Sequence, residues 1–145
     1  MALNDKKIPP DLKPDPRLTA DLEAGKDADG KVACAAAFIV AERKGVSPQE
    51  VGRTLDALSV PLTHCQLGLF GYPGHAKGWG PAGVASQAEP RGLRDALREA
   101  AGPNQTITCE AIWKAAERFR ASRMLAGYIA DLSGLKIIGC QLGAF

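Results

Sequence analysis

Sliding the sequence along itself by 75 residues brings Cys34 onto Cys109 and Cys65 onto Cys140. Ala41-Glu42-Arg43 falls on Ala116-Glu117-Arg118, Ser47 on Ser122, Gly52 on Gly127 and Asp56 on Asp131. Leu18 and Leu22 fall on Leu93 and Leu97, Phe38 falls on Trp113, and CQLGLF (Cys65 to Phe70) falls on CQLGAF (Cys140 to Phe145). The windows 17–70 and 92–145 share 15 identities with no gap. This pattern predicts one supersecondary unit built twice, a tandem repeat of about 54 residues per unit. The first repeat is expected over 17–70 and the second over 92–145. An extended N-terminal arm rich in proline and charge precedes them over 1–16. A linker with five glycines and three prolines separates them over 71–91. Tyr72 and Trp79 in that linker predict that part of it packs down on an apolar surface.

Within the first repeat, Leu18 and Leu22 share one face of a short helix that Gly25 is placed to stop. DADG reads as a turn. VACAAAFIVAERK reads as a helix, with Val32, Ala36, Ile39, Val40 and Ala41 forming a broad apolar face. Gly45 ends it by allowing a positive φ. Ser47 then caps a further helix, with Pro48 at its first position and Glu50 three residues after the cap. Val51, Leu55 and Leu58 line that helix at i, i+4, i+7. PLTHCQLGLF is expected as a short strand with Cys65, Leu67 and Leu69 on one face.

AERKGVSPQEVGRTLDAL resembles the helix-turn-helix of the DNA-binding superfamily, in a winged-helix-like setting. The resemblance rests on a small residue in the first helix (Ala41), a glycine four residues later (Gly45), an apolar residue (Val46), a Ser-opened second helix (Ser47) and an apolar residue within it (Val51). It implies a mainly α fold with short β-strands: two helix-turn-helix units, each ending in a strand and related by a pseudo-twofold axis. The strands would pair with each other or with those of a second chain. It further implies that the second helix enters the major groove of double-stranded DNA. Ser47 would open that helix, and Gln49, Glu50, Arg53 and Thr54 would face outward. Gln and Arg suit base edges and Thr suits phosphate or a thymine methyl, whereas Glu50 repels phosphate.

The second repeat departs from this pattern. Arg120 replaces Gly45 and resists a positive φ, so the turn must differ or cost stability. Met124, Leu125, Tyr128 and Ile129 replace the four outward residues. They predict an interface, within the fold, with a partner protein or in a homodimer. Arg118, Arg120 and Arg123 offer phosphate contacts there. The first repeat nets −1 and the second +2.

The remaining chemistry is sparse. Net charge is +2, which permits a nucleic-acid partner without requiring one. None of the four cysteines lies in a CxxC pair. They read first as buried core thiols, with metal or redox roles as alternatives. No phosphate-cradling glycine loop or nucleophile–base constellation stands out, so neither an enzyme nor a cofactor is expected. No apolar run approaches a membrane span or a secretory signal, and a cytoplasmic protein is the expectation. The leading expected function is a small DNA-binding, transcription-regulator-like protein. The alternatives are a protein-interaction or scaffolding module that kept the helix-turn-helix fold, and a cysteine-based metal or redox sensor.

Overall fold

The computed structural model describes residues 6–145; the first five residues of the expected arm lie outside the described residues. Among the described residues the chain is mainly helical, with seven α-helices and four short strands. It forms two compact units. The first runs up to Cys65 and takes in Gln141–Phe145 from far along the chain; the second is Gln66–Cys140. Each is described by itself below.

In the first unit, α1 (Pro16–Ala24) begins with Asp15, whose carboxylate accepts a hydrogen bond from the Arg17 amide. Proline at the first helical position fits there, because that N–H has no helical partner to lose. The turn after α1 is set by Asp27, whose Oδ1 accepts from the amides of Asp29 and Lys31 at 2.9 Å. The chain then forms β1 (Val32–Ala33), α2 (Cys34–Lys44), α3 (Pro48–Ala57) and β2 (Leu62–Thr63). Leu18 and Leu22 of α1, Ala37, Val40 and Ala41 of α2, and Val51 and Leu55 of α3 are buried as the unit's core. The inward face of α2 is therefore Cys34, Ala37, Val40 and Ala41, rather than the expected face that included Ile39; Ile39 is 48% exposed. The described part of the arm is tied down: Lys6 pairs with Asp56 at 2.7 Å, and the Asp15 amide donates to Thr54 Oγ1.

The second unit contains α4 (Trp79–Ala82), a 3-10 turn over Val84–Ser86, α5 (Leu93–Ala100), β3 (Thr106–Thr108), α6 (Cys109–Arg118), α7 (Arg123–Leu132) and β4 (Lys136–Ile138). Leu93, Leu97, Ile112, Ala116, Ala126 and Ile129 are buried among α5, α6 and α7. Much of the expected linker is built structure here, since α4 and the 3-10 turn pack on α7.

The strands differ from expectation. β2 pairs in parallel with β1, and β4 pairs in parallel with β3. The expected strand–strand pairing between repeats is replaced by pairing inside each unit, closed by a two-helix crossover of the kind a parallel pair requires. The expected strand through the repeated phrase also fails, and neither stretch, 17–70 or 92–145, ends in a strand. β2 stops at Thr63, because His64 takes φ +49°; Gly139 (φ +63°) does the same after β4. Gly68 (φ +86°) and Gly143 (φ +74°) then bend each phrase out of extended geometry. Both phrases are turns, and each leaves the unit its own strands belong to.

Left-handed backbone recurs at a fixed separation. Gly30 and Gln105, Gly45 and Arg120, Ser59 and Gly134, His64 and Gly139, and Gly68 and Gly143 all have positive φ, and the members of each pair stand 75 residues apart. In four of these pairs one member is a residue other than glycine. A left-handed non-glycine residue costs roughly 1–2 kcal/mol, so the surrounding hydrogen bonds hold these turns against local preference.

Candidate functional site

The candidate site is built on the turn between α2 and α3. Gly45 at φ +64° closes α2, and the Val46 amide donates back to the Ala41 carbonyl at 3.1 Å. Ser47 then accepts from the Glu50 amide at 3.2 Å and starts α3. Val51 and Leu55 bury one side of α3. Ser47, Gln49 and Arg53 are exposed. Thr54, expected to face a ligand, is 2% exposed, and its hydroxyl is taken by the Asp15 amide. That corrects its placement in a DNA-contacting set.

The carboxylates of α3 have cations at hand. Glu50 lies 3.8 Å from the Arg17 guanidinium, which also holds Asp15 at 2.7 Å, and Asp56 lies 2.7 Å from Lys6. The negative groups that would repel phosphate are thus partly neutralised within the unit. The Arg17 side chain, by hydrogen bonding to Asp15, holds that carboxyl below its ordinary value. These ion pairs are surface pairs, each contributing little to stability.

The turn between α6 and α7 reproduces the first turn's hydrogen bonding despite its different residue. Arg120 takes φ +52°, and the Ala121 amide donates to the Ala116 carbonyl at 2.9 Å. The turn does not differ; arginine adopts the geometry that glycine holds at Gly45. Ser122 caps α7 by accepting from the Leu125 amide at 3.0 Å.

From there α7 behaves unlike α3. Leu125 and Ile129 are buried, while Met124 and Tyr128 are half-buried. Trp79 covers this side: its ring centroid lies 5.5 Å from that of Tyr128, and its indole N–H donates to the Leu67 carbonyl at 2.7 Å. A Cβ on Gly68 would collide with the Trp79 ring and come within 2.6 Å of Met124 Sδ. The apolar positions of α7 are therefore occupied inside their own unit.

Of the three arginines expected to grip phosphate, Arg118 and Arg120 are exposed at the end of α6 and in the turn, with Arg118 5.0 Å from the Phe119 ring. Arg123 is engaged otherwise. Its guanidinium lies 3.6 Å from the centre of the Trp113 ring and donates to Gln66 Oε1 at 2.7 Å. No local pattern in the sequence pairs Gln66 or Trp113 with Arg123. One signal was present all the same: Gln66 belongs to the repeated phrase.

Cys34, Cys65 and Cys109 are buried, Cys140 is half-buried, and no disulfide joins any of them among the described residues. Among the described residues no three His, Cys, Asp or Glu side chains are grouped to hold a metal ion. No helix among them is long and apolar enough to cross a membrane. No protein-family model, curated protein or solved structure gives a significant match to this chain.

Proposed function

We propose that the protein is a small DNA-binding, transcription-regulator-like protein made from a duplicated helix-turn-helix unit, in which α3 reads the major groove. The observation that carries this reading is the outer face of α3. Gln49 and Arg53 are exposed there, while Glu50 and Asp56 have cations beside them. Gln and Arg are the side chains suited to bidentate contacts with adenine and guanine. Arg118 and Arg120 supply sequence-independent phosphate contacts in this reading. Arg123 and Thr54 are left out because each is committed inside its unit. Support for the duplication comes from the five left-handed pairs 75 residues apart and from the two matching turns.

The test is fluorescence anisotropy with random duplex DNA at several salt concentrations. Affinity should fall as salt rises, by a log–log slope of about 0.9 per phosphate contacted. Arg53→Ala should weaken binding to a selected site by an amount on the order of 1–3 kcal/mol, with the circular dichroism spectrum unchanged. Absence of binding at low salt would sink the reading.

A second reading is favoured by one observation. With Trp79 over Met124 and Tyr128, α7 is closed to a groove. In that reading the protein is a protein-interaction or scaffolding module that keeps the helix-turn-helix fold and binds no DNA. A cysteine-based sensor is tested separately by titrating the native thiols: Cys140 should react first, and the three buried thiols only slowly.

A further inference from the structure

Arg53 stands on the exposed face of α3 between two carboxylates, Glu50 one turn before it and Asp56 one turn after it. Both are helix-surface neighbours at i−3 and i+3, so either is placed to pair with the guanidinium. Neither does. Among the described residues the Arg53 side chain has no ion pair and no hydrogen bond. Each carboxylate is held instead by a cation from the N-terminal segment. Lys6 Nζ lies 2.8 Å from Asp56 Oδ1 and 2.7 Å from Asp56 Oδ2, so both oxygens are taken. Arg17 holds Glu50 more loosely, at 3.8 Å. The stretch between Lys6 and α1 keeps Lys6 in reach. The Asp15 amide is fixed to Thr54 Oγ1 at 3.2 Å, and Leu12 is half-buried with its amide on the Pro9 carbonyl. Pro9, Pro10 and Pro14 stiffen the path.

We infer that Lys6 is a positioning residue for Arg53: by holding Asp56 it leaves the Arg53 guanidinium free for a base edge. Without Lys6, Asp56 turns to Arg53 and also meets phosphate with its charge uncompensated. The second unit provides the contrast. There Tyr128 stands in the place of Arg53 and the exposed Asp131 in the place of Asp56. No cation pairs with Asp131 among the described residues. The carboxylate is clamped where there is an arginine to keep free, and left alone where there is none. What Arg53 meets rests on the reading of α3 as a groove helix; how Arg53 is kept free does not.

Two measurements on the full-length protein test this role. The first needs no DNA. Phenylglyoxal modifies unpaired arginines, and mass-spectrometric mapping reads Arg53 separately from the others. Lys6→Ala should slow Arg53 labelling several-fold, while Lys6→Arg should keep the parent rate. Adding Asp56→Asn to Lys6→Ala should restore that rate. Unchanged Arg53 labelling in Lys6→Ala would overturn the inference. The second measurement is a double-mutant cycle on affinity for a selected duplex site. Lys6→Ala should weaken binding several-fold when Asp56 is present and leave it almost unchanged in the Asp56→Asn background. Equal weakening in both backgrounds would mean that Lys6 touches phosphate itself, and would overturn the positioning role. The expected labelling pattern without DNA binding at low salt supports the positioning role and sinks only the groove reading.

Discussion

Trp79 and Leu67 are joined by a 2.7 Å hydrogen bond from the indole N–H to the backbone carbonyl, at the point where that backbone lies against Gly127. The bond lets a large aromatic be buried without stranding its polar atom. Trp79→Phe should keep most of the packing but remove the donor, at a cost of about 1–3 kcal/mol. Trp79→Ala should cost about 3–5 kcal/mol. Urea denaturation checks both. An alanine variant within about 0.5 kcal/mol of the parent, the scatter of ordinary surface substitutions, would rule out this seat for α4.

The glycines of α3 and α7 make a second prediction. Gly52→Ala and Gly127→Ala each push a methyl into the backbone of Leu142 or Leu67. Each should cost about 1–3 kcal/mol or more. Gly80 is exposed in α4, lacks a positive φ, and has nothing within 4 Å of the place a methyl would take. Gly80→Ala should instead be neutral or stabilising, by up to about 1 kcal/mol. Thermal melts of the three variants should show this order.

Arg120 holds a left-handed turn for which glycine is the easier residue. Arg120→Gly should stabilise the protein by about 0.5–1 kcal/mol, because it relieves backbone strain of roughly 1–2 kcal/mol at some cost in chain entropy. The reciprocal change, Gly45→Arg, should destabilise by about 1 kcal/mol. A loss of stability in Arg120→Gly would mean that the side chain has a role outweighing the strain.

Asp15 gives a pH prediction. Hydrogen bonds from the Arg17 side chain and amide hold its carboxyl below the ordinary 3.8. A carboxyl depressed by folding contributes stability that is fully present above its unfolded value. That contribution is lost as pH falls through the lower folded value. The melting temperature should therefore drop on acidification below about pH 4. Asp15→Asn should remove part of that drop while retaining a side-chain cap for α1. An identical acid profile in the variant would refute the assignment.

Apart from α4, which lies in the stretch expected as a linker, the helices were legible because their signals are local. The Leu18–Leu22 and Leu93–Leu97 spacings, the caps at Ser47 and Ser122, and the stop at Gly45 lie within one or two turns of what they specify. The strands were not legible in the same way. β1 has two residues and β3 has three, each directly before a helix, too short for alternation to register. Thr54 read as a surface hydroxyl because its partner, the Asp15 amide, is 39 residues away in sequence. The candidate site was therefore half legible: Gln49 and Arg53 are exposed where the helix pattern places them, while Thr54 is buried against the Asp15 amide and the exposed Arg123 holds Gln66, both partners far along the chain. The repeated phrase was visible at once, but its address depends on a docking partner that no local pattern names.

That address has a consequence for synthesis on the ribosome. The first unit begins to emerge first, yet its last piece, Gln141–Phe145, follows Gln66–Cys140. At ordinary elongation rates the intervening stretch takes on the order of 4–15 s to make. Throughout that interval α3 waits with Gly52 uncovered, so the part of the protein translated first is the part completed last.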